Sequence, residues 1–174
     1  ENQDTIDNFD KASDDFEAYN KKGNLFSDLQ RYDEAIGCYD KSIFLNPTDA
    51  EVYNNKGIAL HNLERHDEAI KCYDKAISVK PNYADAYFNK GYSLKSLQRY
   101  DEAIESCERA ISFQPNYADA YINKGSILDE LERYDEAIKC YNKAVSLRPD
   151  YAAAYFNKGN SLENLERYDE AIAC

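Results

Sequence analysis

Apolar and polar positions along this chain follow a helical period, in blocks that recur every 34 residues. Between Ala84 and Gln98, the residues Tyr87, Gly91, Leu94 and Leu97 are spaced by four, three and three. That spacing places them on one helical face. From Asp101 onward, Ala103, Ile104, Cys107, Ala110 and Ile111 form a second stripe. Asp101 is expected to cap this second helix, and Pro115 to end it. Gly91, Ala103 and Ala110 are small where two helices must approach closely. The pattern predicts an antiparallel hairpin whose apolar face needs a neighbour.

The same unit fills the chain. Gly23, Gly57, Gly91, Gly125 and Gly159 share one phase, as do five Arg-(Tyr/His)-Asp-Glu-Ala-Ile stretches from Arg31 to Arg167. Pro47, Pro81, Pro115 and Pro149 close four copies. A fixed period of this size predicts a solenoid with no single central core. The copies run over 16–49, 50–83, 84–117 and 118–151, with a fifth, truncated in its second helix, over 152–174. Residues 1–15 form an acidic leader, in which Ile6 and Phe9 either cap the first hairpin or belong to a disordered segment. Capping-box offsets join Asp14 to Glu17, Thr48 to Glu51, Asn82 to Asp85 and Asn116 to Asp119, and fail at Asp150 with Ala153.

These residues resemble a tetratricopeptide repeat array. The family's Gly, Ala, Ala and Pro fall at the eighth, twentieth, twenty-seventh and thirty-second positions, with Ser42 replacing Ala in the first copy. Two departures recur. The fourth position, Trp in the family, is Tyr19, Tyr53, Tyr87, Tyr121 and Tyr155. The seventh, usually Leu, is Lys22, Lys56, Lys90, Lys124 and Lys158. These lysines either snorkel, which is the expectation, or pair with a buried acid. The resemblance implies an all-α, right-handed superhelix of antiparallel hairpins, an α-solenoid. It also implies that the first helices line a concave groove that binds proteins.

That implication selects the positions to examine. The fifth position carries Asn20, Asn54, Phe88, Ile122 and Phe156, and the ninth carries Asn24, Ile58, Tyr92, Ser126 and Asn160. The sixth reads Lys21, then Asn55, Asn89, Asn123 and Asn157. This row is similar to the asparagine ladder of O-linked N-acetylglucosamine transferases. Either the amides hold the backbone of an extended peptide or they are ordinary helix-surface polarity. In the first case Phe88, Tyr92, Ile122 and Phe156 supply side-chain pockets, with Asn54 beside them. Asp85 and Asp119 then favour a neutral or basic ligand. The family's clamp for chaperone carboxylates needs bases at the second, fifth and sixth positions. Only Lys21 is present there.

The formal charge of −12 disfavours nucleic acid and anionic membrane as partners. No apolar run reaches the ~18 residues of a spanning helix. Cys38, Cys72, Cys140 and Cys174 share one repeat position and Cys107 follows one later, a spacing unsuited to disulfides. Reduced cysteines point to a cytoplasmic protein. No metal is expected, because His61 has no ligating neighbour in sequence and His66 replaces a packing tyrosine. No cofactor and no nucleophile–base pair are expected either. Tyr155, Leu162, Leu165 and Ile172 are expected to form an under-covered edge for end-to-end self-association. The chain is thus read as a non-enzymatic scaffold that binds a protein or peptide. The alternatives are a substrate-selecting region of a larger enzyme, such as a glycosyltransferase, and a self-associating structural array.

Overall fold

A computed structural model describes residues 15–174. The expectations for Ile6, Phe9 and Asp14 lie outside them. Ten helices are described: α1 (Phe16–Asp28), α2 (Tyr32–Leu45), α3 (Ala50–Asn62), α4 (His66–Val79), α5 (Ala84–Ser96), α6 (Tyr100–Phe113), α7 (Ala118–Glu130), α8 (Tyr134–Leu147), α9 (Ala152–Asn164) and α10 (Tyr168–Ile172). The chain divides into two compact units, the first ending at Asn89 and the second beginning at Lys90.

In the first unit, α1 packs on α2, α2 on α3 and α3 on α4, while α1 also touches α3. Apolar side chains collect in several small clusters. One joins Phe26, Ala35, Tyr39, Val52 and Ala59, and another joins Leu60, Ala69 and Tyr73. Ser42, which stands where other copies have Ala, is buried and donates its hydroxyl to the Phe16 carbonyl at 2.8 Å. In the second unit α6 packs on α7, α7 on α8, α8 on α9 and α9 on α10, and α7 also meets α9. Leu128, Ala137 and Tyr141 anchor its core beside the partly covered Ile104 and Ile122.

Glycine at the eighth position marks the closest approach inside a hairpin. A Cβ on Gly125 would stand 2.6 Å from Cε1 of Tyr141, a fully buried ring. Gly91 faces Cys107 instead, at 3.1 Å from the sulfur.

The helix entries differ from the expected caps. Asp15 and Asp49, one residue later than expected, accept from the amides of Glu17 at 3.0 Å and Glu51 at 2.9 Å. Tyr117 and Tyr151 hold the equivalent places before α7 and α9 and make no side-chain cap. The second helices begin earlier than Asp101 would have them, with Arg99 as N-cap of α6 and Asp101 inside the first turn. There Arg99 makes paired hydrogen bonds to Glu102, both at 2.7 Å. The same Arg–Glu pair opens α2, α4, α8 and α10.

Two seventh-position lysines reach back across a repeat boundary. Lys56 Nζ lies 2.5 Å from Asp40 and Lys124 Nζ 2.6 Å from Glu108. Both side chains are 23% exposed, whereas the acids are 53% and 55% exposed. The stems are covered and the ammoniums emerge onto surface carboxylates. This is snorkelling that ends in an ion pair.

Candidate binding face

On the first unit, α1 and α3 present a polar cleft of about 380 Å³, lined by Asn24, Ser27, Asp28, Glu51, Asn55 and Ile58, with Tyr39 also on its wall. Asn24 Oδ1 is its central acceptor. It takes the Tyr39 hydroxyl at 2.8 Å and Asn55 Nδ2 at 3.1 Å. These bonds fix the Asn24 and Asn55 amides in orientation and leave the Asn55 carbonyl for a donor from outside. Asp28 and Glu51 are exposed at the rim and no base lines the cleft. The lining is therefore rich in hydrogen-bond acceptors and acidic.

The asparagine row does not form one uniform surface. Asn55 and Asn89 are half-buried. Asn89 Nδ2 donates to Asn54 Oδ1 at 3.0 Å, and Asn54 is itself only 4% exposed. Asn54 thus supports Asn89 from beneath and does not line the face. Asn123 is 5% exposed, with Nδ2 3.5 Å from Cys107 Sγ. It is a core amide, contrary to its expected place in a ladder. The cause is local: the sixth position of the fourth copy meets Cys107 where other copies carry the tyrosines Tyr39, Tyr73 and Tyr141. Asn157 is half-buried and its carbonyl accepts from Ser161 at 3.1 Å.

On the second unit, exposed aromatic groups are prominent. Tyr92 is 49% and Phe156 69% exposed. Phe156, with Tyr155, Asn160, Glu163 and Cys174, borders a cleft of about 630 Å³ at α9. Ile122 is half-buried and packs onto the Leu128 and Tyr141 cluster, so it contributes to the core as much as to the face. Phe88, of the first unit, is half-buried. Lys95 Nζ donates to Ser126 Oγ across α5 and α7.

Asp119, expected in the groove, belongs to the scaffold, and so does Asp129. Asp119 accepts from Arg148 at 2.9 Å and from the Tyr151 hydroxyl, and the Arg148 guanidinium stacks 3.7 Å from the Tyr151 ring centre. Asp119 and the ring's own burial raise the Tyr151 pKa, Asp119 foremost. Asp129 accepts from Tyr141 at 2.5 Å and from Ser161 at 2.7 Å, joining α7 to both α8 and α9. Nothing in the sequence pattern singles out these clasps. Asp85 is exposed at the start of α5.

Of the expected association edge, Leu162 is buried at 1% and belongs to the interior. Tyr155 and Leu165 are half-buried, and Ile172 is 86% exposed. Burial raises the pKa of Cys72 and Cys140 and pushes Cys107 up to about 12, so none of these thiols is activated as a nucleophile. No described helix is long and apolar enough to cross a membrane. The fold gives His61 a histidine neighbour that helical spacing does not. Its Nδ1 lies 3.2 Å from Nδ1 of His66. Burial first, and then His66, lower the His61 pKa from its ordinary 6.5.

Family models of the tetratricopeptide repeat match residues 50–83, 84–117 and 106–139, and a TPR repeat model matches 23–64 and 125–166. The chain is similar in fold to solved structures. A crystal structure of MamA protein is 27% identical, with 91% of this chain and 86% of that chain aligned at a TM-score of 0.80. MamA 41-end from Desulfovibrio magneticus RS-1 is 23% identical, with 93% and 91% aligned at 0.83. YrrB, a TPR protein with an unusual peptide-binding site, is 23% identical, with 97% and 87% aligned at 0.74. No curated protein matches the chain.

Proposed function

We propose a binding function from one premise: the chain belongs to the tetratricopeptide repeat family. Its fold is an adaptable scaffold, so the function must come from the site. The face of the first helices takes a segment of another protein, in extended form, with neutral to basic side chains. One observation carries this reading. The α1–α3 cleft is walled by two amides, two hydroxyls, two carboxylates and Ile58, with the amides oriented by the bonds among Asn24, Tyr39 and Asn55 and with no base among them. In this reading Asn55 and Asn89 meet the ligand's backbone, and Asp28 and Glu51 select for its cationic or donor groups. The second unit, taken by itself, offers such a segment apolar contact through the exposed Tyr92 and Phe156. The peptide-binding site named for YrrB, a protein of the same fold, is consistent with this use of the scaffold.

The test is selection from a peptide array that spans acidic, neutral and basic compositions, followed by calorimetry on the strongest binders. Basic and neutral peptides should be enriched. Asn55→Ala should cost about 0.5–1.5 kcal/mol across different peptides, the net value of one hydrogen bond. Phe156→Ala should instead change which peptides bind, since exposed aromatics are the likelier anchors. Enrichment of acidic peptides, or binding untouched by Asn55→Ala together with Asp28→Asn, would move the site elsewhere.

A further inference from the structure

The chain contains two histidines, and the fold brings them together. His61 lies in the last turn of α3, three residues after Ile58 of the binding face, and His66 is the first residue of α4. Their Nδ1 atoms stand 3.2 Å apart, with ring centres 4.8 Å apart and planes inclined at 50°. Both are half-buried. The other copies have Tyr32, Tyr100, Tyr134 and Tyr168 where this one has His66, and Ser27, Lys95, Asp129 and Glu163 where it has His61. The second repeat alone carries histidine at these positions, and it does so at both.

We propose that His61 and His66 form a two-imidazole site for a divalent ion of the zinc, nickel and copper class. Imidazole is the protein donor best matched to these ions. Two nitrogens each ~2.0–2.1 Å from one ion at a near-tetrahedral angle stand roughly 3.3 Å apart. The observed separation needs almost no backbone change to meet this. Small rotations of the two rings turn the nitrogens from each other toward a common point. In the metal-free pair one Nδ1 donates its hydrogen to the other, so the donating ring moves that proton to its Nε2 when the ion binds, and both Nδ1 lone pairs become ligands. No group of three or more His, Cys, Asp and Glu side chains converges among the described residues. The protein therefore supplies two donors and leaves coordination positions for water or for a side chain of a docked partner. The turn that carries the pair is held by the Arg65 amide on the Leu60 carbonyl at 2.9 Å and the Glu64 amide on the His61 carbonyl at 2.9 Å. Both ligands thus sit on defined backbone, as a chelating pair requires.

The exposed Cys174 is a competing soft ligand, so the chain is tested in a Cys174→Ser background. Titration with NiCl2 and with ZnCl2 by calorimetry should give one site per chain. Two-dimensional NMR of the imidazole nitrogens should show both Nδ1 signals shifting together, with only two rings to assign. His66→Tyr restores the residue of the other four copies and should fold with an unchanged helical circular dichroism spectrum. It should lose at least tenfold in affinity, and so should His61→Ala. Bound metal should raise the melting temperature of the parent and not of His66→Tyr, because an ion that binds only the folded state stabilises it. The proposal is overturned by absence of a saturable site, by affinity that survives in the His61→Ala, His66→Tyr double variant, or by a shift confined to one ring.

Discussion

At the scale of single residues, the eighth-position glycines show how one atom sets the hairpin spacing. At Gly125 an added methyl meets the Tyr141 ring, whereas at Gly159 the nearest atom is 3.9 Å away. Tyr141 is also held through its hydroxyl by Asp129, one turn along the same helix as Gly125, and its pKa is raised first by burial and then by that bond. The ring has nowhere to go. Gly125→Ala is expected to destabilise by about 1–3 kcal/mol, the usual cost of overpacking. Gly159→Ala is expected to stabilise by about 0.5–1 kcal/mol, through helix propensity alone. Denaturant melts of the two variants give both signs. Equal effects would show that the tyrosine wall does not limit the approach.

At the scale of elements, each hairpin turns through a residue in left-handed conformation: Gln30, Glu64, Gln98, Glu132 and Glu166, with φ of 57–59°. The residue that follows closes a six-to-one hydrogen bond, as when the Arg133 amide meets the Leu128 carbonyl at 2.9 Å. This is the turn that helices commonly end with, and glycine is its preferred residue. Glu132→Gly is expected to relieve the strained backbone and stabilise by about 0.5–1 kcal/mol, net of glycine's added chain entropy. A fall in melting temperature would mean that the Glu132 side chain contributes more than its backbone costs. The Arg–Glu pair that begins each second helix gives these elements a pH dependence. Hydrogen bonding to the paired arginine, foremost, lowers the pKa of Glu34, Glu68, Glu102, Glu136 and Glu170 below 4.5. A carboxylate with a depressed folded-state pKa stabilises above its unfolded value and ceases to do so as pH falls through the folded one. Arg65→Gln with Arg133→Gln should therefore melt below the parent at pH 6, and the two melting curves should converge toward pH 3. Parallel curves over that range would exclude the pairs as the source.

At the scale of the whole molecule, charge and repetition act together. The net charge is −12, and like charges at long range oppose the compact state. The ion pairs that oppose this repulsion are short, such as Lys124 with Glu108 at 2.6 Å. Salt screens interactions beyond a Debye length of about 8–10 Å far more than contacts inside it. Raising NaCl from 20 to 200 mM, about a threefold change in that length, should raise the melting temperature. A fall would mean that the exposed pairs outweigh the global repulsion. The same balance bears on binding. A ligand recognised through Asp28 and Glu51 should associate more slowly in salt, whereas contacts to Asn55 should be indifferent to it.

The boundary between what the sequence determined and what the tertiary structure decided follows the range of the interactions. Helices and turns answer to local periodicity, and so Gly91 with Ala103, the tyrosines at the fourth position and the family itself were legible in one dimension. So was the division of the described core, because the packed hairpins of each unit bury apolar groups in small clusters. The roles of polar side chains were not legible, because an amide or carboxylate takes whichever partner the packing puts within reach. Asn55 and Asn123 occupy the same repeat position, yet one edges a cleft and the other is buried against Cys107. Asp119 reads as a groove acid until Arg148 and Tyr151 close on it. Leu162 reads as an open edge until its own hairpin covers it. His61 and His66 are five residues apart, on different helices, and no helical spacing pairs them. Only the left-handed turn at Glu64 folds one ring onto the other.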